Sequence, residues 1–246
     1  MKKALVTGAS TGIGLQFSKS LKAQGWAVTG VARSEDKLKS AFGEGNYLVA
    51  DLSEEAGIAA MEKHLKETKY DLLINNAGYG MYGRFENLSI KDQVNMMHLN
   101  MDALVRLSYA YLATAVKGDA LMNISSALSL LPMPGAAVYS ATKSFVTSFT
   151  ECLWYEYKNK GVYVFADLPG AVRTPFHENA GSRIGAMDPK MVLEPELVVK
   201  EALATLAARK QPSIVNGSKY RLLTKAAQLL PRKVRLEQMA NNSPNL

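Results

Sequence analysis

The sequence predicts an α/β fold: a single, doubly wound parallel sheet of about seven strands with helices on both faces. Three observations predict it. Short apolar runs alternate along the chain with segments of helical periodicity. The first run leads into a glycine-rich turn that opens a helix. Right-handed crossovers between parallel strands then leave few topologies, of which the doubly wound sheet leads.

The elements follow in order. Ala4-Leu5-Val6 is the first strand, and a helical pattern runs from Ile13 to about Gln24. Ala27 to Val31 is the second strand and closes a βαβ unit. Asn46 to Ala50 and Asp71 to Ile74 are the third and fourth. A long helix is expected from about Val94 to Val116, then the strand Ala120 to Ile124. Another helix spans about Ala137 to Asn159, and Val162 to Asp167 is the sixth strand. Between Thr174 and Glu194 the alternation stops, with Pro175, Gly181, Gly185 and Pro189 in the segment. A long irregular stretch in such a domain is a lid, a binding loop or disordered. Its place after the sixth strand puts it at the carboxyl edge of the sheet, where ligands bind in these folds. Ser213 to Gly217 is the seventh strand and its turn, and Asn241 to Leu246 is expected to be disordered.

The 246 residues fit one large domain, with no internal repeat or low-complexity linker, and 48% hydrophobic residues supply a sizeable core. Cys152 is the single cysteine, which excludes an internal disulfide framework and suits a reducing, cytoplasmic setting. No run approaches the ~18 apolar residues of a membrane span. The opening Met-Lys-Lys resembles a signal-peptide start, but Thr7, Gly8 and Ser10 interrupt its apolar run. The net charge of +7 belongs to the tail: from Arg209 onward one acid, Glu237, faces eight basic residues. Such a tail can attract anionic substrates, a membrane surface or nucleic acid, or can simply be a solvated face. Tyr220, Leu223, Ala227 and Leu230 recur at near-helical spacing among Lys219, Arg221, Lys225, Arg232 and Lys233. We expect a domain over 1–217 and a basic amphipathic extension over 218–246 that packs its apolar face on it. Docking on a membrane surface is the alternative, and no nucleic-acid partner is expected.

The chemistry starts at Thr7-Gly8-Ala9-Ser10-Thr11-Gly12-Ile13-Gly14, between the first strand and the first helix. Glycines permit the tight turn and let backbone amides approach a pyrophosphate, whose charge the helix N-terminus favours. The spacing is G-x-x-x-G-x-G rather than the general G-x-G-x-x-G fingerprint. Further along, Tyr139 and Lys143 are four residues apart and share a helix face. An ammonium beside a phenol favours the phenolate and lowers its pKa from about 10 toward a range useful for acid/base work. His64, His98 and His177 show no metal-ligand spacing and no cysteine pair exists, so no metal is expected.

These residues, taken in order, resemble the short-form branch of the short-chain dehydrogenase/reductase family. Thr7, Gly8, Gly12 and Gly14 match its opening motif. Asp51, Asn75-Asn76-Ala77-Gly78, Asn100, Asn123-Ile124-Ser125-Ser126, Tyr139-Ser140-Ala141-Thr142-Lys143 and Pro169-Gly170-Ala171-Val172-Arg173-Thr174 follow in the family's order. The resemblance covers residues 1 to about 175. It implies a Rossmann-type oxidoreductase, a homodimer or homotetramer, that exchanges hydride between a nicotinamide cofactor and a small carbonyl or alcohol. It implies that Ser126, thirteen residues before Tyr139, polarises the substrate carbonyl, with adjacent Ser125 as the alternative. Tyr139 would transfer the proton. Lys143 would hold the nicotinamide ribose and tune Tyr139, and Asn100 would hold a water that links Lys143 to solvent. Gly8, Ser10, Thr11, Gly12, Ile13 and Gly14 would cradle the pyrophosphate. Asp51 and Leu52 would face the adenine, and Asn76, Ala77 and Gly78 the adenosine ribose. Pro169, Gly170, Val172 and Thr174 would meet the nicotinamide.

Cofactor preference has its own argument. NAD enzymes need an acid near the end of the second strand to accept from the ribose 2′-hydroxyl. Here that position is Ala32, followed by Arg33. Arginine can bind a 2′-phosphate bidentately, so NADP(H) is expected over NAD(H). Tyr79, Met81, Tyr82 and Phe85, with Leu128, Leu130, Leu131 and Met133, would form an apolar wall for a lipophilic ketone or aldehyde, or serve only as loop packing. A nucleotide-binding regulator or redox sensor on the same fold is the alternative function, although it would not need Ser126, Tyr139, Lys143 and Asn100 together.

Overall fold

The computed structural model describes residues 1–43, 45–181, 188–241 and 243. Seven strands form one sheet: β1 (Lys3–Thr7), β2 (Ala27–Ala32), β3 (Tyr47–Val49), β4 (Leu72–Asn75), β5 (Ala120–Ile124), β6 (Tyr163–Leu168) and β7 (Ser213–Val215). Their order is β3-β2-β1-β4-β5-β6-β7 and every pairing is parallel. This is the doubly wound sheet that the alternation predicts, and its order reverses between β1 and β4. β4, β5 and β6 are buried along their whole length, which is why they read as continuous apolar runs rather than as an alternation.

Two hydrophobic layers cover the sheet. On one face α1 (Gly12–Ala23), α2 (Glu35–Phe42) and α8 (Pro195–Ala208) bury Phe17, Leu21, Leu38, Phe42, Val199 and Ala202 against Val6, Ile74, Met122 and Phe165. On the other, α3 (Glu55–Glu67) and α5 (Leu104–Leu112) bury Ile58, Met61, Leu65, Leu107 and Tyr111 against Leu5, Leu73, Leu121 and Val164. Each such side chain removed from water contributes roughly 1.5–3 kcal/mol. α2, α3 and α8 have no counterpart in the strand-led sequence reading, although Val198, Val199, Ala202 and Leu206 on α8 follow helical spacing.

The long helix expected over 94–116 starts earlier, because the Ser89 side chain caps α4 (Ile90–Met97) by accepting from the Asp92 amide. It is also interrupted: His98–Ala103 form a π-helical turn before α5 begins. Such turns widen a helix locally and gather at functional sites. α6 (Ala137–Tyr157) follows the expected helix closely.

The irregular stretch after β6 is tied at its base. Val172 bridges Leu193, the amide of Arg173 donates to the Leu193 carbonyl at 2.9 Å, and the short α7 (Phe176–Asn179) follows. Gly185 lies outside the described residues. After β7, α9 (Ser218–Gln228) buries Tyr220, Thr224 and Ala227, so the expected tail helix is present. A second helix, α10 (Arg232–Asn241), follows Pro231 and has no fully buried residue. The expected disorder at 242 and 244–246 falls outside the described residues, whereas Asn241 closes α10. Among the described residues no helix is long and apolar enough to cross a membrane.

Candidate active site

A cavity of about 1350 Å³ opens at the carboxyl ends of the strands, around the reversal between β1 and β4. One half is lined by the β1–α1 turn. Gly8 and Gly12 have φ of +64° and +55°, where other residues are strained. A Cβ on Gly12 would also press on the Thr174 side chain at 3.3 Å. The Thr11 side chain does not cap α1, so the first amides of the helix keep their donors for an anion. Ser10, Thr11, Gly12 and Ile13 all face the cavity. Gly14 does not line it. A Cβ there would collide with the Asn76 amide and the Gly8 carbonyl, so this glycine serves close packing.

The β4 loop is strapped to that turn. Thr7 Oγ1 accepts from the amides of Asn76 and Ala77, both at 2.9 Å, and Asn76 Nδ2 donates to the Thr7 carbonyl at 2.9 Å. Asn76 therefore lines the cavity with its amide donors committed to the glycine turn. Asp51 and Leu52 line the same half. Burial alone would raise the Asp51 carboxyl, but hydrogen bonds from Ser53 and the Arg33 charge outweigh it and hold the pKa below the usual carboxylate value. Arg33 lies on the wall, as the end of β2 predicts, and Lys37 joins it from the first turn of α2. Lys37 was legible only as the i+4 neighbour of Arg33 once α2 is known.

In the other half, Ser126 follows β5 and Tyr139 and Lys143 sit near the start of α6, all on the cavity wall. The two serines divide clearly. Ser125 Oγ donates to the Lys143 carbonyl at 2.8 Å and lies 2.7 Å from Thr147 Oγ1. Its hydroxyl is occupied in packing β5 on α6, whereas the Ser126 hydroxyl accepts the Leu128 amide at 3.1 Å and interacts with the Tyr139 hydroxyl across the cavity wall. Tyr139 is flanked by Tyr82 and Phe176, with ring centroids 5.9 and 5.7 Å away.

One expectation about this group needs correction. Lys143 does not lower the Tyr139 pKa here. Burial raises it, the neighbouring Tyr82 adds to the rise, and Ser126 only partly opposes it. Burial likewise lowers Lys143 to about 8, and its Nζ donates to the Ile124 carbonyl at 2.9 Å. The physical reason is desolvation: both groups are withdrawn from water, and each moves toward its neutral form. Asn100 is buried behind the cavity wall, where a Cβ on Gly78 would meet both its Oδ1 and Lys143 Nζ. Its Oδ1 accepts from the Tyr79 amide at 3.2 Å, and its Nδ2 donates to the Tyr79 carbonyl at 2.9 Å and to Thr142 Oγ1 at 3.1 Å. The side chain thus fastens the π-helical turn to the β4 loop.

Pro169, Gly170, Val172 and Thr174 line the cavity as expected. A side chain the family motifs do not mark holds this loop: the Ala171 amide donates to Tyr220 Oη at 3.0 Å, and a Cβ on Gly170 would run into the Tyr220 ring. The apolar wall includes Tyr79, Met81, Tyr82, Leu128, Leu131 and Met133, while Phe85 and Leu130 lie off it, Phe85 being exposed. Phe176, His177, Leu223, Arg235, Gln238 and Met239 complete the cavity and were missed. They come from α7, α9 and α10, which no motif places near the catalytic group. Among the described residues no cluster of three metal-binding side chains occurs.

A family model described as short chain dehydrogenase matches residues 2–184. The human very-long-chain 3-oxoacyl-CoA reductase is 30% identical over 222 residues, covering 85% of this chain and 69% of that protein. The chain spans between 59% and 69% of the human, rat and mouse reductases of that name. Among solved structures, a short-chain dehydrogenase from Sphingobium yanoikuyae in complex with NADPH superposes with a TM-score of 0.83 at 30% identity, covering 93% of this chain and 94% of that one. A bulky-bulky ketone specific alcohol dehydrogenase from Comamonas testosteroni gives 0.77 at 27% identity, covering 94% and 96%.

Proposed function

From the premise that the chain belongs to the short-chain dehydrogenase/reductase family and is an oxidoreductase, we propose that it reduces a lipophilic ketone or aldehyde with NADPH. The observation that carries this reading is the cavity itself. Ser126, Tyr139 and Lys143 meet an aromatic and aliphatic wall at one end, and Arg33 and Lys37 stand at the other.

The dinucleotide fits the residues present: a glycine turn at positive φ, an uncapped helix N-terminus and two cations beyond the end of β2. When bound, it supplies the hydride that reaches the carbonyl carbon. Ser126 donates to the carbonyl oxygen and polarises it, and Tyr139 gives that oxygen its proton, so the product is an alcohol. A phenol whose pKa burial has raised is fully protonated at neutral pH, the form a reductive step needs. Lys143, with a pKa near neutral, is suited to return the proton to Tyr139. Asn100 acts by holding Tyr79 and the π-helical turn in register.

The preference for NADPH is supported by Arg33 and Lys37 and by the NADPH complex of the Sphingobium relative. The lipophilic substrate is supported by the wall and by the ketone specificity stated for the Comamonas enzyme. The same reading takes residues 218–246 as an extension packed on the domain through Tyr220. It also takes the protein as a cytoplasmic homo-oligomer, in keeping with its single cysteine and with Val94, Met97, Tyr109, Phe145 and Tyr155 exposed on α4, the π-helical turn's flank, α5 and α6.

The test is NADPH oxidation against aldehydes, cyclic ketones, steroids and ketoacyl thioesters, with NADH and Tyr139→Phe as controls. Turnover that vanishes in the variant supports the reading. Tight NADPH binding with no turnover on any class would favour a nucleotide-binding regulator.

A further inference from the structure

α10 contributes one face to the cavity: Arg235, Gln238 and Met239, at i, i+3 and i+4. The position of Arg235 is unusual for a charged residue. Its Nε is shut off from solvent and has no hydrogen-bond partner among the described residues. Leaving such a donor unsatisfied is costly, and more so for a charged group. Two other cations of the extension have acid partners. Arg221 donates to Glu201 at 2.9 and 3.2 Å, and Lys233 lies 3.8 Å from Glu237 on the exposed side of the helix. Arg235 instead lines a cavity to whose wall α9 also contributes the apolar Leu223 and Ala227, and the segment before α8 contributes Met191.

We propose that Arg235 anchors an acidic group of the substrate, so that the carbonyl compound is an amphiphile: a lipophilic body with a carboxylate or phosphate oxyanion. The guanidinium fork matches the planar oxygens of either group and supplies the acceptor that Nε lacks. Asp188, an acid in the same cavity lining, already accepts the Lys190 amide at 2.9 Å and forms no ion pair with Arg235 among the described residues. The extension from residue 218 onward carries six basic residues against the single acid Glu237, a surplus that favours anions over neutral ligands near it. This assigns the C-terminal extension a role in substrate choice, and it rests on the reading of a lipophilic carbonyl substrate given above.

Calorimetric titration of the NADPH-saturated full chain with decanoate, decyl phosphate and the neutral methyl decanoate tests it. At least one anion is expected to bind tenfold or more tightly than the ester, and which one does so separates carboxylate from phosphate. Arg235→Gln should erase that difference while leaving NADPH and ester affinity unchanged, and Arg235→Lys should keep part of it. Equal binding of anions and ester by the wild-type chain overturns the proposal, as does an Arg235→Gln chain that loses ester and anion alike. Should Arg235→Gln fail to fold, the wild-type difference and Arg235→Lys decide the matter. NADPH oxidation with a matching keto acid is measured separately. Absent turnover with Arg235-dependent anion binding intact would reject the reductase reading and leave the anchor standing.

Discussion

Lys143 Nζ lies 5.8 Å from the centre of the Tyr139 ring, one helical turn away on α6, and points its hydrogen bond at the Ile124 carbonyl. The lysine and the tyrosine are thus held together by burial rather than by an ion pair. Each is displaced toward neutrality, Lys143 downward to about 8 and Tyr139 upward.

That displacement has a signed consequence for stability without cofactor. As pH rises past about 8, folded Lys143 sheds its proton before the unfolded chain does at 10.5. The unfolded state then binds more protons, so stability rises with pH across that window. Tyr139, raised above its ordinary 10, acts in the opposite sense, but only above about pH 10. At about 1.4 kcal/mol per pKa unit, the lysine contributes on the order of 3 kcal/mol of penalty at pH 7. Lys143→Met should therefore stabilise the cofactor-free protein at pH 7 and flatten the rise between pH 8 and 9.5, measured by urea midpoints, while removing turnover.

Tyr139→Phe deletes one hydroxyl and leaves the ring between Tyr82 and Phe176. Turnover should fall by ~10²–10⁴-fold, the usual share of general acid catalysis. NADPH affinity and thermal midpoint should hardly move. A parallel loss of cofactor binding would mean that the ring, not the proton, is what matters.

Arg33 and Lys37 make a two-cation wall where a 2′-phosphate would lie. Arg33→Asp should raise the KM for NADPH at least tenfold and improve the use of NADH. Lys37→Glu should raise the KM for NADPH by less, since it keeps the fork that binds bidentately. Competing kinetics with both cofactors check this, and an unchanged preference in Arg33→Asp would reject the NADPH assignment.

Gly14 is tightly packed. Alanine is the better helix former by roughly 1 kcal/mol, yet a Cβ here meets the Asn76 amide and the Gly8 carbonyl. Gly14→Ala should destabilise by about 1–3 kcal/mol net, as overpacking does, and loosen the strap between the glycine turn and the β4 loop. Thermal denaturation with and without NADPH would show both effects.

Asp167, at the end of β6, is fully buried, and neither carboxylate oxygen has a hydrogen-bond partner among the described residues. Burial pushes it up to about 8; the Asn216 amide opposes the rise without reaching bonding geometry. A carboxyl raised from 3.8 contributes stability that is present below pH 3.8 and lost as pH climbs through about 8. Asp167→Asn should remove that decline and raise the midpoint at pH 8, where the wild-type residue must either ionise in the dry interior or hold its proton against solvent. Superimposable pH–stability curves for the two proteins would refute this.

Much of this molecule was written locally. Strand and helix periods, the glycine turn and the spacing from Ser126 to Tyr139 to Lys143 depend on neighbours within a few residues, and they place the doubly wound sheet and the catalytic end of the cavity. Arg33 was legible for the same reason, as the residue that follows the end of β2. What the tertiary structure alone decided involves residues far apart in the chain. Asn100 is fastened to the backbone of Tyr79 in the β4 loop, a tie between distant residues that no local spacing foretells. The pKa values of Tyr139 and Lys143 moved against the spacing argument because desolvation depends on everything packed around them, including Phe176 from α7. The last part of the wall, Tyr220 and Arg235, follows no motif: only the path of α9 and α10 back over the Pro169–Ala171 loop brings the basic tail to the site.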